Sequence, residues 1–193
     1  MEGGRAAIEW GWNLIEGERI RLRALECDDL VQFVQWLNDS DVVAGLDRFL
    51  PLSMVEEEHW YERMLETPAE EHPLVIEVKD QDTWISIGDC GFHGIDWRSR
   101  SAEAGIVIGD KTCWSQGFGT DAMRLLLKHG FDTLNLNRIY LRVFSNNVRA
   151  IRCYEKAGFV QEGRFRQAHY QDGEYWDVLV MSVLRSEWVG KNQ

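Results

Sequence analysis

An anion-binding pattern lies in the middle of the chain, at residues 106–131. A β-branched apolar triplet, Ile106-Val107-Ile108, is followed by a short loop, by the glycines Gly117 and Gly119, and by a helical pattern. Glycine has no Cβ, so backbone N–H groups there can approach an anion closely. The helix that follows presents unsatisfied N–H groups and the positive end of its dipole. The order strand, glycine loop, helix therefore predicts that phosphates bind where this helix begins.

The patterns around this segment predict one domain of the α+β (mixed α/β) class. Strict alternation of apolar and charged residues over 18–25 predicts a strand with one solvated face. Ser53 and Glu56 have the spacing of a capping box at a helix start, and Asp172-Gly173 predicts a hairpin between the last two strands. The predicted order is β α α β β β α β α β β.

Length and composition agree with a single globular domain. The chain has 193 residues, of which 45% are apolar and 27% are charged, which are ordinary globular values. We divide it into an N-terminal arm at 1–16, which contains Trp10 and Trp12, a domain at 17–188, and a C-terminal tail at 189–193.

Charge and apolar runs argue against two classes of partner. The formal net charge of −11 disfavours nucleic acid, which needs a basic face, and favours a cationic substrate, although acidity can also serve solubility alone. No apolar run approaches the roughly 18 residues of a membrane span. We expect a cytoplasmic protein, because no apolar signal segment is recognisable at the N-terminus and the four cysteines are scattered. Neither zinc nor any other metal is implied.

Several motifs together resemble the GCN5-related N-acetyltransferase (GNAT) family. They occur in the family order, and the similarity covers about residues 17–188: Gln116-Gly117-Phe118-Gly119-Thr120, then Asn146-Asn147-x-x-Ala150-x-x-x-Tyr154, then Gly158-Phe159 and Glu162-Gly163. The glycine loop alone is a weak signal, and the combination carries the specificity. The closing segment resembles the branch that contains ribosomal-protein N-terminal acetyltransferases and spermidine acetyltransferases.

The resemblance implies a fold and a cofactor. The fold is a twisted, mostly antiparallel sheet of about seven strands, with a splayed central pair and about four helices. The cofactor is acetyl-CoA, whose pantetheine would pair with the splayed strand and whose pyrophosphate would bind the glycine loop. The implied contact residues are Ile106, Val107, Ile108, Gln116, Gly117, Phe118, Gly119, Thr120, Asn147, Ala150 and Tyr154. Asp121 stands where the family usually has a small residue, so we expect its side chain to point away from the phosphates.

The resemblance also implies how the acetyl group moves. Tyr154 would protonate the departing thiolate, and a backbone N–H of the splayed strand would polarise the carbonyl. Glu103 is our candidate for the base that takes a proton from the amine, with His93 and Ser145 as alternatives. The amine would attack directly in a ternary complex, because no cysteine has an adjacent base motif.

The acceptor stays open at this level. A protein N-terminus, a small amine and a polyamine such as spermidine all fit, and acids on the first two helices could line an entry: Asp39, Asp41, Glu56 and Glu57. A non-catalytic acyl-CoA-binding sensor is an alternative of another class. The tryptophans of the arm also suggest a homodimer.

Overall fold

The structure, a computed structural model, describes residues 14–191, with side chains up to residue 188. The tryptophans Trp10 and Trp12 lie outside the described residues. Eight strands and six helices are formed within the described range, and short 3₁₀ or π turns connect some of them. The strands are β1 (Ile15–Glu16), β2 (Ile20–Ala24), β3 (Leu74–Asp80), β4 (Thr83–Asp96), β5 (Ser101–Ile108), β6 (Arg138–Phe144), β7 (Val160–Gln171) and β8 (Glu174–Leu184). The helices are α1 (Leu30–Leu37), α2 (Ser40–Val43), α3 (Met54–Leu65), α4 (Phe118–Lys128), α5 (Val148–Ala157) and α6 (Arg185–Lys191).

All eight strands form one sheet in the order β1-β2-β3-β4-β5-β6-β8-β7. Every neighbouring pair is antiparallel except β5 with β6, which run parallel. That parallel pairing covers only residues 101–103 of β5 and 138–140 of β6. From residue 104 onward β5 stays paired with β4 alone, so the two central strands diverge as expected.

Two glycines explain why β5 leaves β6. A Cβ on Gly88 in β4 would lie 1.9 Å from the carbonyl oxygen of Val107, and a Cβ on Gly109 would lie 2.1 Å from the Trp36 ring. Both contacts need the absence of a side chain. They hold the end of β5 against β4 and α1, on the side away from β6.

The helices cover the two faces of the sheet. Helix α4 and helix α5 pack on one face, over the large core that contains Phe92, Met123 and Ile139. Helices α1 and α3 pack on the other face, where Phe33 and Met64 contact Val75 of β3. No helix within residues 14–191 is long and apolar enough to cross a membrane.

The structure adds elements that the sequence patterns did not predict. Ile15 and Glu16, assigned to the arm, pair with β2 as an eighth strand. The Asp39 carboxylate caps the short helix α2, which is absent from the predicted order of elements. Helix α6 continues past residue 188 to Lys191, into the predicted tail. These are elements of two, four and seven residues, too short for a periodic pattern.

The predicted local signals are confirmed. Ser53 and Glu56 form both hydrogen bonds of the capping box at α3. Gly158 ends α5 in the left-handed conformation with φ 112°. Asp172 and Gly173 both have positive φ in the β7–β8 turn, as a type I′ hairpin requires.

Candidate active site

The divergence of β5 and β6 opens a cavity of about 500 Å³. Ile106, Val107 and Ile108 line one wall, and Val143 and Phe144 of β6 line the opposite wall. Because β5 and β6 are unpaired here, the backbone groups of β5 that face β6 are left without strand partners. The cavity can therefore accept an extended ligand that pairs with β5 as a further strand would.

The start of α4 forms one end of the cavity. Gly117 is the N-cap, with φ 89°, a backbone conformation that favours glycine. Gly117, Phe118, Gly119 and Thr120 all line the cavity, and the first N–H groups of a helix have no partner within it. This end is an anion site of the predicted kind.

Gln116 is placed differently from its neighbours. It is not among the described residues that line the cavity. Its side-chain amide donates to the Thr112 carbonyl oxygen at 2.6 Å, and its own carbonyl accepts from Arg19. Gln116 thus stabilises the loop that precedes α4.

Helix α5 supplies the next side of the cavity. Asn147, Ala150 and Tyr154 all line it and share one helix face by their spacing. The Asn147 side chain caps the helix by accepting from the Ala150 N–H at 3.1 Å. Ala150 is small, which leaves room beside the β5 wall.

Tyr154 is enclosed at the inner side of this face. Its side chain is 8% exposed, and its ring meets Phe159 edge-on at 5.8 Å between centroids. Burial, with the nearby Cys153 second, raises the pKa of the Tyr154 hydroxyl well above its ordinary value. The hydroxyl is therefore protonated at neutral pH, as a proton donor must be.

Four cations also line the cavity: Arg142, Arg149, Arg152 and Lys156. None of the described residues that line it is acidic, although the whole chain carries a net charge of −11. Arg149 lies over the Trp114 ring, 3.4 Å from its centroid, and burial lowers its pKa. Concentrated positive charge in an acidic chain indicates an anionic ligand.

Sequence reasoning missed this basic lining and the role of Trp114. The Trp114 ring nitrogen donates to the Ile108 carbonyl oxygen at 2.7 Å, which fixes the end of β5. A signal was present for the cations of α5, because Arg149, Arg152 and Lys156 are spaced at i, i+3 and i+7 and so share a face. Trp114 gave no such signal.

Asp121 points away from the cavity, as expected. Its carboxylate accepts two hydrogen bonds from the Arg19 guanidinium, at 2.9 and 2.5 Å. Arg19 also lies 4.9 Å from the Phe118 ring centroid. The acid is thus neutralised by an ion pair beside the loop.

Glu103 lies at the last paired position of β5, opposite Tyr140 of β6. It is not among the described residues of the large cavity and lies in a shallow neighbouring cleft. Arg142 donates to both of its carboxylate oxygens, at 2.8 and 3.1 Å. Both carboxylate oxygens of Glu103 are therefore occupied by the ion pair with Arg142.

The two alternative bases occupy other surroundings. His93 is exposed on β4, opposite Glu103 in the register. The Ser145 hydroxyl accepts from the Asp177 N–H at 3.2 Å, so it attaches the end of β6 to β8. No group of three His, Cys, Asp or Glu side chains in residues 14–191 could hold a metal ion.

The chemistry of the cavity fits coenzyme A. Free strand backbone suits the amides of pantetheine, and the helix start and the four cations suit its phosphates. Ile106–Ile108, Gly117–Thr120 and the basic face of α5 are the residues that would hold it. Tyr154 lies between these regions, where a proton donor could reach a departing sulfur.

Comparisons with known proteins agree with this geometry. The acetyltransferase (GNAT) domain profile matches residues 19–160. The uncharacterized N-acetyltransferase p20 of Bacillus licheniformis is 31% identical over 175 residues, which cover 90% of this chain and 97% of that protein. Spermidine N(1)-acetyltransferase of Vibrio cholerae is 31% identical over 176 residues, which cover 91% of this chain and 98% of that protein.

A solved structure extends the comparison to three dimensions. The crystal structure of spermidine N-acetyltransferase from Vibrio cholerae in complex with CoA and spermine superposes with a TM-score of 0.81. The sequences are 29% identical, and the match covers 90% of this chain and 99% of that one. The chain therefore belongs to the GNAT family and is an acetyl-CoA-dependent N-acetyltransferase.

Proposed function

We propose that the acceptor is a polyamine of the spermidine type. The observation that carries this proposal is the match to spermidine N(1)-acetyltransferase over nearly the full length of both chains. Electrostatics supports it, because the cations are gathered in the cofactor cavity while the chain as a whole is strongly acidic. A flexible polycation is attracted to such a surface.

The mechanism follows from what each group can do. When bound, acetyl-CoA supplies the acetyl group as a thioester. The unpaired backbone of β5 orients the cofactor and offers an N–H to the carbonyl oxygen. Tyr154 holds a proton for the departing sulfur, and the cations of α5 bind phosphate. Glu103 keeps its proposed role as the base only if the Arg142 pair opens, because Arg142 donates to both of its carboxylate oxygens.

The cellular setting and assembly are part of the proposal. Cys27, Cys90, Cys113 and Cys153 are all free, which supports a reducing compartment such as the cytoplasm. A homodimer is supported by the edge strand β7, where Val160 and Phe165 are exposed and unpaired backbone is available on one side. Sedimentation velocity tests the assembly.

A panel of acceptors tests the choice of substrate. It contains spermidine, spermine, butylamine, and peptides that begin with alanine or serine, with acetylated products identified by mass spectrometry. We expect kcat/KM for spermidine to exceed that for butylamine at least tenfold, because butylamine has a similar primary amine without the additional charges. A preference for the peptides would overturn the polyamine assignment and favour N-terminal acetylation.

A further inference from the structure

Two carboxylates on the face of the sheet covered by α1 and α3 have no role in the mechanism above. They are the side chains of Asp89 in β4 and Glu57 in α3, and neither carboxylate forms a hydrogen bond with any other described residue. A buried carboxylate without a partner is costly. Their persistence in this position calls for a function.

Asp89 lies next to the wall of the cofactor cavity. In the antiparallel register it is opposite Val107, which lines the cavity, and on its other side it is opposite Val75. Side chains opposite each other project to the same face, with Cβ atoms about 5 Å apart. Asp89 therefore shares with Val75 the face covered by α1 and α3, away from α4 and α5. As a whole residue Asp89 is partly exposed.

Glu57 approaches the same place from the helix above. It shares one face of α3 with Trp60, Tyr61 and Met64, at spacings i, i+3, i+4 and i+7. These three side chains belong to the cluster around Val75. Glu57 is only 5% exposed, and its charge acts on Asp89.

The environment makes Asp89 a stronger base than an ordinary aspartate. Burial, with the Glu57 charge second, raises the pKa of Asp89 to about 7. Burial also raises the pKa of Glu57, against an opposing effect of Arg48. A base whose pKa is near the working pH can take a proton from an ammonium and release it to solvent.

Several other titratable or charged groups lie near Asp89 or along the same face of the sheet. Burial and Asp89 raise the pKa of the Cys90 thiol well above its ordinary value, so it is uncharged. Burial raises the pKa of Tyr61 on α3, and Arg48 acts on Glu57 while its own Nε is buried without a hydrogen-bond partner. His93 lies two positions of alternation from Asp89 on the same face of β4. Other groups farther along this face form ion pairs. These are Glu77 with Arg21 and Arg23 on β2 and β3, and Glu103 with Arg142 on β5 and β6.

We propose that Asp89, assisted by Glu57, accepts the proton from the acceptor amine, directly or through one water molecule. The alkylammonium N–H bond breaks, its electron pair stays on nitrogen, and the proton passes to the Asp89 carboxylate and then to solvent. Nitrogen next forms its bond to the acetyl carbon and the C–S bond breaks. The second proton leaves nitrogen for solvent, the sulfur receives one from the Tyr154 hydroxyl, and the Tyr154 phenolate regains a proton from solvent, so that the sum is amide, thiol and one released proton.

This role complements the ion pair at Glu103. Both carboxylate oxygens of Glu103 are occupied by hydrogen bonds from Arg142. Asp89 lacks such a partner, and so retains affinity for a proton. The inference depends on amine acetylation and not on which amine is the substrate, so the assay uses whichever acceptor of the panel is acetylated fastest.

The test compares pH profiles of kcat at saturating acceptor. Asp89→Asn should lower kcat at pH 7.5 by roughly 10²-fold or more. It should also abolish the fall of kcat toward low pH, which is the acidic limb of the profile. Coenzyme A affinity, measured by calorimetry, should stay unchanged. Asp82→Asn, on the exposed β3–β4 turn, is the charge-matched control and should leave the profile intact. Glu103→Gln should retain the acidic limb.

Glu57→Gln gives a second and independent readout. Removal of the Glu57 charge lowers the pKa of Asp89, so the acidic limb should move to lower pH, whereas Glu58→Gln on the exposed side of α3 should not move it. The proposal would be overturned if the acidic limb of the kcat profile in Asp89→Asn matched that of wild type. It would also be overturned if the acidic limb in Glu57→Gln stayed at the wild-type pH. If Asp89→Asn fails to fold, the pH position of the acidic limb in Glu57→Gln decides whether the proposal stands. Acetylation of peptides in place of polyamines would overturn the acceptor assignment and leave this inference standing.

Discussion

The carbonyl oxygen of Val107 occupies the position that a side chain on Gly88 would need, with only 1.9 Å between that oxygen and a Cβ built on the glycine. This contact holds the end of β5 against β4, and the cofactor cavity is the space that β5 leaves beside β6. We therefore expect strand geometry and cofactor binding to be linked through this one missing Cβ.

Gly88→Ala should consequently damage both stability and cofactor binding. The added methyl must displace backbone, and such overpacking typically costs about 1–3 kcal/mol or more in the free energy of unfolding. The shifted β5 should also weaken coenzyme A binding at least tenfold. Denaturant unfolding and calorimetry measure the two effects.

Gly163→Ala is the matched control, because a Cβ there meets nothing within 4 Å. Gly163→Ala should change neither the free energy of unfolding nor the coenzyme A affinity appreciably. Unaltered coenzyme A affinity in Gly88→Ala would show that the position of β5 does not set the cofactor site.

Tyr154→Phe should reduce turnover without a loss of cofactor. The ordinary tyrosine pKa of about 10 already keeps the hydroxyl protonated, and burial raises that pKa further. Loss of a general acid typically lowers the rate by about 10²–10⁴-fold. The ring contacts with Phe159 are retained in phenylalanine. Unchanged kcat, measured by thiol release, would remove Tyr154 from the mechanism.

The basic face of α5 should contribute salt-dependent affinity for coenzyme A. Arg152→Gln and Lys156→Gln each remove one cation from the cavity lining, so each should weaken binding roughly three- to tenfold at low salt, and less at high salt. Arg166→Gln on the exposed strand β7 is the control with an equal charge change. Equal effects from all three variants would mean that only the net charge matters.

Asp89 should make the stability of the chain depend on pH in an unusual direction. Its folded-state pKa of about 7 is above the ordinary value of about 3.9, so the folded state binds the proton more tightly than the unfolded state. The associated stabilisation is full below about pH 4 and is lost as pH rises to about 7.

Asp89→Asn removes this dependence. The melting temperature of the variant relative to wild type should therefore rise between pH 4.5 and pH 8, while that of Asp82→Asn should stay level. If the difference in melting temperature between Asp89→Asn and wild type were constant across this pH range, the raised pKa of Asp89 would be contradicted. Thermal scans followed by circular dichroism provide the measurement.

The sequence predicted the parts of the site that depend on local patterns. Gly117, Asn147 and Tyr154 lie on the cavity because a strand, a glycine loop and two helix faces have recognisable periodicities. The cleft between β5 and β6 followed from the family resemblance. Its cause, the contact between Gly88 and Val107, joins residues on different strands and has no local signature.

The surroundings of Glu57 and Glu103 were less predictable for the same physical reason. Glu57 is part of the acidic run 56–58, and only the packing of α3 against β3 and β4 separates it from its solvated neighbours. The Glu103–Arg142 pair depends on the register of β5 with β6, which sequence alone left open. Propensity and periodicity identify elements, while the ionisation of a side chain depends on contacts across the sheet.

The most direct test of the account is acetyl transfer by a variant whose cavity is filled. Ala150 lines the cavity, so Ala150→Leu should occupy space needed by the cofactor. Wild type should release one thiol for each acetylated amine, and Ala150→Leu should lose at least tenfold in coenzyme A affinity and in kcat/KM at an unchanged melting temperature. Wild-type affinity and turnover in Ala150→Leu would contradict the assignment of this cavity as the acetyl-CoA site.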